Sequence, residues 1–139
     1  MQNLRVIASE SYISFLCVTG DEGSFGCLLP RNDSQVFVEK IEQILKKEEN
    51  FPEVDFEVGC MLIETMSAGL NIMFQCTDLQ KEKAIQFALE FDMCKELLAK
   101  LKEVENNIAK HYGPPPESKK AWHFFIQTEE EAEISQNSL

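Results

Sequence analysis

This chain of 139 residues has only two histidines, His111 and His123, and no Cys-x-x-Cys pair. Histidine is the usual general base and the commonest metal ligand. Neither histidine has a cysteine or a second histidine at a spacing typical of a zinc site. Neither is expected in a strand-end loop, where catalytic residues tend to lie. The sequence therefore predicts no metal site, no cofactor and no enzymatic activity.

Basic residues are also scarce. There are 13 Lys and Arg against 24 Asp and Glu, a net charge of −11. This balance argues against nucleic-acid binding, which depends on neutralising phosphates, and against docking on an anionic membrane leaflet. The glycines at 20, 23 and 26 lack the Lys-Ser/Thr ending of a phosphate loop and lead into a strand. The expected partner is another protein, with a basic contact surface.

No apolar run approaches the roughly 20 residues that span a bilayer, and residues 1–5 do not resemble a secretory signal. The cysteines are odd in number, lie in apolar runs and show no disulfide framework, which indicates buried thiols in a reducing compartment. These are Cys17, Cys27, Cys60, Cys76 and Cys94. We therefore expect an intracellular protein, cytoplasmic or nuclear, with one domain large enough to bury a core.

The segment 83–110 carries the clearest structural pattern. Every second residue from Ile85 to Phe91 is apolar, which predicts a half-buried strand. From Cys94 to Ile108 apolar residues recur at steps of three and four, which predicts an amphipathic helix that Asp92 is suited to cap. The same segment also fits one continuous helix over residues 79–110, and that alternative stays open.

The rest of the chain alternates short strands with one helix. Apolar alternation predicts strands at 4–8, 12–18, 25–29, 54–58, 60–65 and 70–76, the last of these forming a hairpin with 83–91. A helix over 34–47 is predicted to start at Asp33 or Ser34. Gly113 and the three prolines after it are expected to stop the final helix. The chain thus divides into an α+β domain, 1–112, and an acidic tail, 113–139.

About seven short, mostly antiparallel strands with one inserted and one C-terminal helix predict an antiparallel sheet or partly open barrel. The last hairpin, 70–76 and 83–91, followed by the helix at 92–110, resembles the end of the pleckstrin-homology-like superfold, and the resemblance loosely covers residues 3–111. The inserted helix departs from that pattern. The first loops also lack the basic residues of lipid-binding members. The resemblance therefore implies the peptide-binding use of the superfold.

An aromatic cluster in the tail is costly to leave exposed. It consists of Trp122, Phe124, Phe125 and Ile126. Two interpretations stay open: the cluster adds an edge strand to its own domain, or it docks on a partner, for example by strand addition. Thr128 and Ser135 stand in short patterns that resemble kinase sites, where a phosphate would add negative charge beside the cluster.

These observations favour a non-enzymatic protein-protein interaction module, a small adaptor or a complex subunit. It would bind a partner peptide or helix in an apolar groove beside the C-terminal helix. The residues predicted to contact that partner are Leu97, Leu98, Leu101 and Val104 on the helix, with Trp122, Phe124, Phe125 and Ile126 in the tail. The alternative is a homodimeric structural protein with a β head and a long dimerising helix.

Overall fold

The computed structural model describes residues 2–19, 24–46, 53–118, 120 and 122–127. In this part of the chain the elements are β1 (Gln2–Ala8), β2 (Tyr12–Thr19), β3 (Ser24–Pro30), α1 (Arg31–Leu45), β4 (Val54–Val58), β5 (Met61–Ala68), β6 (Asn71–Asp78), β7 (Lys83–Glu90), α2 (Phe91–Tyr112) and β8 (His123–Gln127). The strands form two antiparallel four-stranded sheets: sheet A, in the order β1-β2-β3-β8, and sheet B, in the order β4-β5-β6-β7. The α+β class is confirmed. The sheets do not close into a barrel, and eight strands are described rather than seven.

Strand β7 pairs with β6 along its whole length, from Asp78 opposite Lys83 to Asn71 opposite Glu90. The single helix over residues 79–110 is therefore wrong, because residues 83–90 belong to a sheet. Helix α2 begins at Phe91, after Glu90 in an extended conformation, without a side-chain cap. The capping role predicted for Asp92 is also wrong. Asp92 lies in the first turn, where its carboxylate suits the helix dipole.

Helix α1 starts earlier than its sequence pattern suggests. It begins at Arg31, and the N-cap is Pro30 with φ −60° and ψ 143°, again without a side-chain hydrogen bond. Strand β3 therefore runs directly into the helix, and neither Asp33 nor Ser34 is the cap. As a result Arg31, Asn32 and Asp33 form the first helical turn instead of a loop.

The core lies between the two sheets and the helices. Phe25 of β3 stacks on Phe87 of β7 with ring centroids 3.8 Å apart, and Phe87 stacks on Phe74 of β6 at 4.9 Å. Helix α1 adds Phe37, Val38, Ile41, Ile44 and Leu45 to the buried core, and α2 adds Met93, Cys94, Leu97, Leu98 and Leu101. Neither described helix is both long and apolar enough to cross a membrane. Because successive strand residues point to opposite faces, each sheet also has an outer face, directed away from this core.

Candidate protein-binding surface

The outer face of sheet A is defined by the strand residues that alternate with the buried ones. The pairing register places Arg5, Leu16, Gly26 and Phe125 in one row across the four strands. The adjacent row contains Ile7, Ser14, Leu28 and His123. Together with Tyr12, Val18 and Ser24, these eleven residues are the outward positions whose burial the structure describes, and we call them the outer face of sheet A.

Much of this face is apolar. Ile7 is 72% exposed and Phe125 is 55% exposed, while Leu16 and Leu28 are partly exposed between them. At the centre, a Cβ added to Gly26 would lie 3.2 Å from Cδ1 of Leu16 and 3.5 Å from Cδ2 of Phe125. The missing side chain thus lets these two side chains approach each other over β3. A contiguous apolar patch of this kind marks an interaction site more often than scattered apolar residues do.

The charge of this face is unlike that of the rest of the chain. None of its eleven residues is Asp or Glu, although the protein carries a net charge of −11. Its basic side chains are Arg5 and His123, and Nζ of Lys120 lies 5.8 Å from the ring centroid of Tyr12. Sheet B is the opposite case, because its outward positions include Asp55, Glu57, Glu64 and Glu90 and no Lys or Arg.

Three consecutive residues at the start of α1 hold the chain that leads into β8. Arg31 donates from Nη2 to the carbonyl oxygen of Gly113 at 3.1 Å, and Asn32 donates from Nδ2 to that of Ser118 at 3.3 Å. Asp33 accepts a hydrogen bond of 2.9 Å at Oδ2 from the indole N–H of Trp122. Strand β8 then pairs antiparallel with β3. This route brings Phe125 onto the outer face of sheet A.

Arg31 is fully buried and forms a bidentate ion pair with Glu105 of α2. Its Nε lies 3.0 Å from Oε2 and its Nη2 lies 2.7 Å from Oε1. Its Nη1 donates to the carbonyl oxygen of Glu10, in the turn between β1 and β2, at 2.6 Å. Because a buried charge is stable only when paired and hydrogen-bonded, these contacts fix the start of α1 against α2 and sheet A.

Asp33 lies in a tight environment beside a glycine. Burial raises the pKa of the Asp33 carboxyl, and the hydrogen bond from Trp122 opposes that rise. A Cβ added to Gly59 would lie only 2.6 Å from Oδ2 of Asp33. A cavity of about 320 Å³ opens next to this pair. Its lining includes Asn32, whose buried Oδ1 has no hydrogen-bond partner among the described residues.

A metal site and a reactive thiol place different requirements on the described residues. Within the described ranges, no group of three or more His, Cys, Asp or Glu residues is placed to hold a metal ion. Burial raises the pKa of Cys17 to about 11 and those of Cys76 and Cys94 to about 12. The pKa of Cys27 is also raised, mainly by burial and to a smaller extent by the neighbouring Cys76. Thiols with such pKa values are poor nucleophiles.

The helix residues predicted to contact a partner lie in the protein's own core. Leu97, Leu98 and Leu101 are at most 2% exposed, and Val104 is partly buried against the same core. A groove does run between α1 and α2, with a cavity of about 540 Å³. Four of its seven lining residues are charged; the lining consists of Glu42, Leu45, Lys46, Lys95, Leu98, Ala99 and Lys102.

The aromatic cluster of the tail is divided between core and surface. Trp122 is 7% exposed and packs edge-on against Phe37, with 5.9 Å between ring centroids. Phe124 is partly buried, 6.1 Å from Phe25, whereas Phe125 points outward. Ile126 pairs with Phe25 in the ladder between β8 and β3. The cluster thus adds an edge strand to its own sheet, while Thr128 and Ser135 lie outside the described residues.

The outer face of sheet A was not identified as a candidate from the sequence, although one signal for it exists. Strand β2 reads YISFLCVT, with apolar residues at outward positions such as Leu16 and Val18 as well as at inward ones. A nearly continuous apolar run is typical of a strand that is covered on both faces. Which other residues share the outward face depends on the pairing of β3 with β8, and no local pattern reveals that pairing.

Comparisons with known proteins add no relative. No protein-family model, no curated protein and no solved structure matches this chain. Function is therefore inferred from the surfaces that the fold presents.

Proposed function

We propose that this protein is a non-enzymatic interaction module, a small adaptor or a subunit of a complex, and that it binds a partner protein through the outer face of sheet A. One observation carries the proposal: β2 is apolar on both faces, but the described helices pack on its inner face only. Ile13, Phe15 and Cys17 are buried inward, whereas Leu16 and Val18 point outward and stay partly exposed. A sheet that is apolar on both sides is stable in water when both sides are covered.

The size of this face suits the centre of a protein-protein interface. Four strands at a spacing of about 4.8 Å, with about six residues each, span roughly 19 Å by 20 Å. Interfaces bury about 800 Å² on each partner, with an apolar centre and a polar rim. Covering the part of Ile7 or Phe125 that is still exposed contributes on the order of 1–2 kcal/mol. The face supplies that apolar centre, and its neighbours supply the rim.

The sequence predicted that the partner binds in a groove beside α2. The described contacts favour the outer face of sheet A as the binding surface instead. The leucines of α2 already contact the protein's own core, and four of the seven residues that line the groove between the helices are charged. Among the predicted residues whose burial the structure describes, Phe125 is the most exposed. A pleckstrin-homology-like relationship would agree with peptide binding, and it stays a prediction.

The test is site-specific photo-crosslinking in cells with benzoylphenylalanine. It is placed at Ile7 or Phe125 on sheet A, and at Gln86 on the outer face of sheet B as the matched control. We expect discrete adducts with the same partner from positions 7 and 125, and none with that partner from position 86. Introducing Leu16→Glu should remove the adducts while circular dichroism shows an intact fold. Absence of discrete adducts from both sheet A positions, or equal adducts from position 86, would overturn the proposal.

A further inference from the structure

Building on the proposed docking face, we infer that its occupant is an amphipathic α-helix of the partner protein with acidic residues along both flanks. The inference rests on three features of the outer face of sheet A: its saturated backbone, its lack of carboxylates and the position of Arg5 and His123 on its two edge strands.

The backbone of sheet A limits the kind of segment that binds on its face. The strands use their N–H and C=O groups sideways in the ladders that join β1, β2, β3 and β8. The face itself therefore presents side chains only. An extended peptide pairs with a sheet at its edge, and on the face its own backbone groups would have no partners. The occupant must satisfy its backbone internally, so it is a helix or another sheet.

A second copy of this chain is the obvious candidate for another sheet. In a two-fold dimer through this face, each copy would present the same residues to the other. Arg5 and His123 would then share the interface with their own copies, and neither face has an Asp or Glu to pair with them. Two chains of net charge −11 also repel each other. Electrostatics therefore disfavour the homodimer.

A helix with acidic flanks matches the pattern of charge across the sheet. Arg5 lies on the edge strand β1 and His123 on the edge strand β8, while Leu16 and Leu28 lie on the two central strands. The edge strands are three spacings apart, about 14 Å. A helix of about 10 Å diameter would cover the central strands with its apolar side and bring its flanks near the edge strands. A carboxylate on one flank would face the Arg5 guanidinium, and one on the other flank could accept a hydrogen bond from the His123 imidazole.

The same crosslinking experiment tests the inference once the crosslinked peptides are mapped by mass spectrometry. We expect position 125 to join a partner segment with apolar residues at i, i+3, i+4 and i+7 and Glu or Asp beside them. Crosslinks from both positions to a second copy of this chain, or to a basic or extended segment, would contradict the acidic-flanked helix. They would still agree with binding at the outer face of sheet A. If neither position 7 nor position 125 gives adducts, the proposed function itself is contradicted.

The mapped segment, synthesised as a peptide, then provides the quantitative test by calorimetry on the full chain. Arg5→Glu should weaken binding about tenfold, because the new carboxylate would repel the carboxylates on the flank of the peptide. Lys83→Glu, a charge reversal at an exposed position on the edge strand β7, should leave the affinity within twofold. The peptide should also gain helicity on binding. Equal effects of the two reversals, or a bound peptide without helix, would contradict the inference.

Discussion

The indole N–H of Trp122 donates a 2.9 Å hydrogen bond to Oδ2 of Asp33, joining the chain just before β8 to the first turn of α1. The two residues are 89 positions apart, and the bond is buried. Trp122 also packs against Phe37 of α1. This contact fixes where β8 begins, so the fourth strand of the docking face depends on a polar contact at the opposite side of sheet A.

Replacing Asp33 by Asn should change how stability depends on pH. Burial raises the pKa of Asp33 above its ordinary value of 3.8, so the folded protein holds the proton more tightly than the unfolded chain. The contribution of this group to stability is therefore complete below pH 3.8 and is lost as the pH rises through the folded pKa. Asp33→Asn keeps an oxygen acceptor for Trp122 and has no charge to lose.

Urea denaturation of both proteins between pH 7 and pH 4 measures this effect. We expect Asp33→Asn to be more stable than the natural chain at pH 7, with the difference shrinking as the pH falls. Taking the difference between the two proteins cancels the other titrating groups. A difference that is constant, or that grows towards low pH, would show that the pKa of Asp33 is not raised in the fold.

Gly59→Ala should destabilise the protein more than Gly69→Ala. Both glycines have a positive φ, 59° and 63°, so both substitutions incur a backbone cost of about 1 kcal/mol. A Cβ at Gly59 would also lie 2.6 Å from Oδ2 of Asp33, whereas nothing lies within 4 Å of one at Gly69. We expect the free energy of unfolding to fall by a further ~1–3 kcal/mol for Gly59→Ala. Equal losses for the two variants would contradict the close contact with Asp33.

Periodicity in the sequence was sufficient where a local pattern decides the structure. The alternation in residues 83–91 predicted β7 and its hairpin with β6, one residue too long at its end, and the stripe containing Leu97 and Leu101 predicted an amphipathic α2. The helix starts were missed because Pro30 and Glu90 are extended residues that end a strand and begin a helix without a loop or a side-chain cap.

The docking face was harder to predict because it depends on distant pairings. Gly26 and Phe125 are neighbours in the sheet although they are far apart in the chain. The contact that fixes α1 joins Arg31 to Glu105, which is 74 residues away. Local periodicity does not identify such partners, and a buried arginine at a strand-helix junction looks like a surface residue in the sequence.

Removing one partner of the Arg31–Glu105 ion pair should be costly. Arg31→Met leaves the Glu105 carboxylate buried without its bidentate partner. Glu105→Met leaves the Arg31 guanidinium buried without its carboxylate. Each single change should lower the free energy of unfolding by about 3–5 kcal/mol. The double variant should lose much less than the sum, because no unpaired charge is left in the core. Chemical denaturation of the natural chain, the two single variants and the double variant completes a double-mutant cycle. Additive losses of unfolding free energy would show that the two side chains are not coupled.

Thiol labelling should separate Cys60 from the other four cysteines. Cys60 is partly exposed, in the turn between β4 and β5, whereas Cys17, Cys27, Cys76 and Cys94 are buried and burial raises their pKa. At pH 8 a thiol with a pKa of 11 is about one-thousandth thiolate, and access to the buried sulfur requires local opening. Iodoacetamide should modify one site quickly in the native protein and five in urea. Cys60→Ser should abolish the fast phase; a fast phase that persists in that variant would mean that a core strand or α2 opens readily.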